Sequence, residues 1–126
     1  DLADTMKQAL LGVRAQSLQR WGAVSVQVAL EMAEGVRHIS GAELGLSITG
    51  ISGPGGATPF KPVGLTYIAL AAPGERRVWR QIWSGDRSFN KLASARVALH
   101  YACAYLSGSA VGALSVDDAT ALCSAL

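Results

Sequence analysis

The chain has 126 residues, half of them apolar and 16% charged, with a formal net charge of +2. That composition excludes disorder and suits a single domain with a core of its own. There is no basic stripe of a nucleic-acid module, no apolar run of the roughly 18 residues a membrane span needs, and no charged-then-apolar leader at the start.

The opening reads as a short helix that Asp4 or Thr5 can cap, because their side-chain oxygens accept the unpaired N–H groups of a first turn. Met6, Ala9, Leu10 and Val13 then fall at helical spacing, and Gly12 is a natural stop. A second short helix is predicted from Ala15 to Trp21, ending at Gly22. Ser25 is the next N-cap, and from Val26 to Ile39 the residues Val28, Ala29, Met32, Val36 and Ile39 make one apolar face. After Gly41 the period shortens to two: Leu44, Leu46 and Ile48 alternate with Gly45, Ser47 and Thr49, as in a strand. A loop rich in glycine and proline follows, from Gly50 to Pro59. Val63 to Ala71 is almost continuously apolar, which suits a strand covered on both faces. Pro73-Gly74 turns the chain into a third strand, Val78 to Trp83, antiparallel to the one before it. Asp86 caps a long helix with Phe89, Leu92, Ala93, Val97 and Ala104 along one side. Ser107-Gly108-Ser109 is a linker, and Ser115 with Asp118 has the form of a capping box for a last short helix. The pattern predicts an α/β fold, three-layer α/β/α with a mixed β-sheet.

The Thr49–Thr58 loop is the most unusual local feature. Its glycines at 50, 53, 55 and 56 permit sharp turns, and successive N–H groups in such a loop form a concavity for an anion. It follows a buried strand, where α/β sheets collect ligands, although a tight connection between strands has the same composition. No Lys-Ser or Lys-Thr follows the glycines, so the loop is not a P-loop. Gly50-Ile51-Ser52-Gly53-Pro54 has proline where a nucleophile elbow needs its second glycine, and no helix follows. His38 and His100 both fall in helices and read as structural. Lys7 reads locally as a solvated surface lysine, or as a base if it is partly buried near a cationic group or an apolar wall. Arg87, at a helix start, can grip a phosphate or carboxylate with its two parallel N–H groups, or pair with Asp86 or Glu75. Cys103 and Cys123 lack metal-ligand spacing and read as buried, reduced thiols of a cytoplasmic protein.

Several segments together resemble one family. These are Asp4-Thr5-Met6-Lys7-Gln8-Ala9-Leu10-Leu11-Gly12-Val13 and Trp21-Gly22-Ala23-Val24-Ser25; then Thr49-Gly50-Ile51-Ser52-Gly53-Pro54-Gly55-Gly56 with Lys61-Pro62-Val63-Gly64; and finally Ser84-Gly85-Asp86-Arg87. In order and spacing they are similar to the C-terminal domain of the competence-damage-inducible (CinA) proteins, which also occurs as a stand-alone nicotinamide-nucleotide amidase. The resemblance covers roughly residues 3 to 106, and a set of motifs is far more specific than one glycine motif. It implies an amidohydrolase domain over residues 1–106, followed by a linker and short helix over 107–126. The implied reaction is hydrolysis of the carboxamide of nicotinamide mononucleotide to nicotinate mononucleotide and ammonia. It uses a serine activated by a lysine, with no metal and no cofactor.

By the same resemblance Lys7 takes the lysine's position, and Thr49, Gly50, Ile51, Gly53, Gly55 and Arg87 line the substrate site. The family's serine lies in a Ser-Cys-Thr-Gly-Gly type segment upstream of the lysine, and these 126 residues contain no such segment. The chain is therefore expected to lack that nucleophile, together with an N-terminal helix and strand of the family's domain. A pyridine nucleotide is the expected small-molecule partner, with no nucleic acid and no membrane, and a homo-oligomer is compatible with it. The alternative is a non-catalytic nucleotide-binding or interaction domain of the same ancestry.

Overall fold

The computed structural model describes residues 3–108, so the capping box at Ser115, the final helix and Cys123 lie outside the described residues. The elements in chain order are α1 (Asp4–Leu11), α2 (Ala15–Trp21), α3 (Val26–Ser40), β1 (Gly45–Gly50), β2 (Leu65–Ala72), β3 (Glu75–Ile82) and α4 (Arg87–Leu106). The fold is α/β, as expected, with one three-stranded antiparallel sheet in the order β1-β2-β3. The parallel pairing that would make the sheet mixed is not among these three strands. β2 is the middle strand and is buried at seven of its eight positions, as its unbroken apolar run requires. β1 stands at one end of the order. The chain divides into two compact units, Asp1–Thr49 with Tyr67–Val78, and Gly50–Thr66 with Trp79–Leu126.

In the first unit α1 and α2 both pack on α3. Val13, Val28 and Met32 form one small core with Leu11 and Leu18 against it. Ala29 and Ala33 meet Ala69 and Ala71 in a second, with Leu30, Tyr67 and Val78 packed around them. Ser25 caps α3 as expected, its hydroxyl accepting the Val28 N–H at 3.2 Å. α1 departs from expectation: Ala3 is the N-cap and no side chain caps the helix. Asp4 sits in the first turn, where its carboxylate faces the Lys7 ammonium at 3.4 Å instead of the backbone. The start of α2 is capped from a distance, because Glu31 on α3 accepts the Arg14 backbone N–H at 2.9 Å and the Arg14 guanidinium at 3.3 Å. Burial pushes the Glu31 pKa up, but the Ser17 hydroxyl, the Arg14 N–H and the Arg14 side chain together outweigh it and hold the carboxyl below its ordinary range.

The alternation expected for β1 is present, but the buried side is the small, polar one. Gly45, Ser47 and Thr49 are buried, whereas Ile48 is 37% exposed. The reason is the backbone of the first unit. Ser47 donates its hydroxyl to the Ala29 carbonyl at 2.6 Å, and Thr49 donates to the Ala23 carbonyl at 2.7 Å. At Gly45 any Cβ would strike the carbonyl oxygen of Ala33. The strand approaches too closely for large side chains, so its apolar residues face the other way.

In the second unit α4 is capped as expected, Asp86 accepting the Phe89 N–H at 2.8 Å. Its buried face is Asn90, Ala93, Ser94, Val97, Ala98, Tyr101 and Ala104. Leu92, expected on that face, is half exposed, and Cys103 is exposed instead of buried. The polar members of the buried face have partners on β3 and just beyond it. Trp79 stacks on Tyr101 with ring centroids 4.1 Å apart, Gln81 donates to the Tyr101 hydroxyl at 2.7 Å, and the Trp83 indole N–H donates to Ser94 at 2.8 Å. Every fully buried side-chain nitrogen or oxygen among the described residues has a hydrogen-bond partner. Among those residues no helix is long and apolar enough to cross a membrane.

Candidate functional site

The glycine loop leaves β1 and first makes one more backbone pair, Ile51 N–H to the Leu65 carbonyl at 2.9 Å and Gly64 N–H to the Ile51 carbonyl at 2.6 Å. It then turns away at Gly53, whose φ of 85° lies in the left-handed region that side chains disfavour. A Cβ there would also lie 2.5 Å from the Val63 side chain. Glycine is required at this position by conformation and by space.

Two side chains of α4 reach this loop. The Arg87 guanidinium donates to the Gly53 carbonyl at 3.4 Å, and the Asn90 carboxamide donates to the Ser52 carbonyl at 3.1 Å. The same carboxamide accepts the Gly85 N–H at 3.1 Å. Between loop and helix start is a cavity of about 560 Å³ lined by Ser52, Gly53, Pro54, Val63 and the run Gly85 to Ser88. Its volume lies in the range of small-molecule sites, roughly 300 to 1,000 Å³. Its charged lining is the Arg87 guanidinium and the Asp86 carboxylate that caps the positive end of α4.

Of the residues singled out in the sequence, the structure brings Gly53 and Arg87 together in this cleft. Ile51 is buried beneath the loop, and Gly50 and Gly55 are exposed. Gly50 lies close to Thr66, where a Cβ would come within 2.7 Å of the threonine hydroxyl. Thr49 is buried, with its hydroxyl committed to the Ala23 carbonyl. Lys7 is the one buried residue of α1, at 8% exposure, while Met6 and Leu10 of the same helix are exposed. It is therefore not the surface lysine of the first local reading, and its ammonium faces the Asp4 carboxylate. The sequence reading passed over Asn90. The signal was available: a polar side chain occupies a position on the buried stripe with Ala93 and Val97, where its helix gains nothing from asparagine.

A family model described as the CinA C-terminal domain matches residues 2–106. The chain belongs to this family. Among its relatives, a CinA-like protein from Syntrophotalea carbinolica is 45% identical over 104 residues, covering 82% of this chain and 25% of the relative. The domain thus spans about a quarter of the length of the curated relatives it matches. The competence or damage-inducible protein from Enterobacter asburiae superimposes with a TM-score of 0.79 at 31% identity, covering 84% of this chain and 67% of the other. The competence/damage inducible protein CihA from Agrobacterium tumefaciens gives a TM-score of 0.77 at 37% identity, covering 81% and 63%. For this CinA C-terminal domain the glycine loop and the Gly-Asp-Arg turn, far apart in sequence, form two walls of one cavity.

Proposed function

We propose that this CinA C-terminal domain binds a pyridine nucleotide and serves the hydrolysis of nicotinamide mononucleotide to nicotinate mononucleotide and ammonia. The observation that carries the reading is the cleft of about 560 Å³ with Arg87 beside the glycine loop at the positive end of α4. A phosphate monoester suits the Arg87 guanidinium, a planar fork of donors that matches the ligand's acceptor oxygens. Lys7 is assigned the proton transfers. In the amidase chemistry a lysine amine removes the proton of a serine hydroxyl, the serine oxygen attacks the carboxamide carbon, and the protonated lysine returns the proton to the departing ammonia. Water then cleaves the acyl-enzyme by the same proton path. What supports this role is the match of Lys7 to the lysine position of the family's motif. No cofactor enters the scheme.

Titration of the chain with nicotinamide mononucleotide, followed by amide chemical shifts, tests the binding step. Saturable shifts at Gly53, Gly55 and Arg87, lost in Arg87→Ala, are expected. An absence of binding at millimolar nucleotide refutes the reading. Binding without ammonia release, in a chain that also carries the family's serine segment, favours the non-catalytic alternative.

A further inference from the structure

We propose that Asn90 is the positioning residue of the cleft, tying the glycine loop and the Gly85 turn to the first turn of α4 and so fixing the two walls between which the ligand sits. The proposal rests on the nucleotide reading of that cleft. Asn90 is 1% exposed and does not line the cavity, but both groups it holds belong to residues that do. Its carboxamide nitrogen donates to Ser52 and its carboxamide oxygen accepts from Gly85. Only a side chain with a donor and an acceptor on one short stem can do both. Aspartate keeps the acceptor alone, lysine the donor alone, and alanine neither.

The consequence for the loop follows from peptide geometry. With the Ser52 carbonyl turned toward α4, the Gly53 N–H in the same trans peptide plane is turned the opposite way. Arg87 holds the next carbonyl, that of Gly53, so two successive peptide planes are set from the helix. Beneath Asn90, Ser94 donates to the Asn90 carbonyl at 2.8 Å and accepts the Trp83 indole N–H. This lower pair braces the same stretch of helix without touching the cavity, and it supplies the control.

The test compares Asn90→Asp with Ser94→Ala, each measured for thermal stability, nucleotide affinity and amide hydrogen exchange. Asn90→Asp keeps the acceptor for Gly85 and loses the donor to Ser52. It is expected to weaken nicotinamide mononucleotide binding about tenfold and to speed exchange at Gly53, Gly55 and Gly56 by a similar factor. Ser94→Ala is expected to lower the melting temperature comparably while leaving affinity and loop exchange unchanged. Equal affinity and exchange in Asn90→Asp and wild type would overturn the proposal, as would equal weakening by Ser94→Ala. If the wild-type chain fails to bind the nucleotide, the functional reading falls by itself, and the ligand-free exchange comparison still decides the role of Asn90.

Discussion

Replacing Ser47 by valine puts the preferred strand-former on a strand, and the structure says that it will destabilise the protein. Ser47 is 5% exposed and its hydroxyl lies 2.6 Å from the Ala29 carbonyl oxygen. Valine removes that hydrogen bond, a loss of about 1 kcal/mol. It also brings methyl carbons to a place where only a hydrogen-bonded oxygen fits, because carbon contacts need about 3.5 Å or more. Overpacking of this kind costs about 1–3 kcal/mol, so the sum is about 2–4 kcal/mol. Ser47→Ala removes the bond alone and should cost about 1 kcal/mol. The neighbouring Ile48→Thr, at a residue more than a third exposed, should change stability by no more than about 0.5 kcal/mol. Urea denaturation of the three variants measures this, with midpoints compared at constant m-value. If Ile48→Thr costs more than Ser47→Val, the strand presents its other face to α3 and the reasoning fails.

Two further outcomes are expected. The Glu31 carboxyl is held below its ordinary value of 4.5 in the folded chain, so its contribution is present above that value and is lost as the pH falls through and below it. Glu31→Gln should therefore be less stable than wild type near neutrality and should lose less on acidification from about pH 5 to pH 3; parallel melting curves for the two proteins over that range would contradict the assignment. In a chain that also carries the family's serine segment, Lys7→Ala should lower amidase turnover by about a hundredfold or more, and Arg87→Ala should raise KM more than it lowers kcat. Ammonia release reads both, and full activity in Lys7→Ala removes the lysine from the mechanism.

Local chemistry was enough to read the four helices and three strands of the described residues in chain order. Ser25 and Asp86 cap where their hydroxyl and carboxylate predict, and Gly12, Gly22 and Gly41 end the first three helices. The inward face of β1 was not legible, because it depends on α3 carbonyls some eighteen residues away from Ser47. The expected cap by Asp4 or Thr5 is absent because the helix begins earlier, with Ala3 at the N-cap and Asp4 already in the first turn. At the cleft, the loop with Gly53 and the Arg87 position could be picked out from composition and motif. Asn90 could not be assigned a role, since its partner Ser52 lies 38 residues earlier and nothing near either residue announces the other.

The placement of the three tryptophans gives the domain its own optical reporters. Trp21 closes α2 in the first unit, partly exposed, with the Arg20 guanidinium 5.0 Å from its ring. Trp79 and Trp83 belong to the second unit and are both buried, one stacked on a tyrosine and the other bonded through its indole nitrogen. Emission from Trp21 alone, in a variant whose other two are phenylalanine, follows the first unit, and Trp21→Phe leaves emission from the second. Overlaying the two denaturation traces shows whether the units lose structure in one cooperative step or in turn.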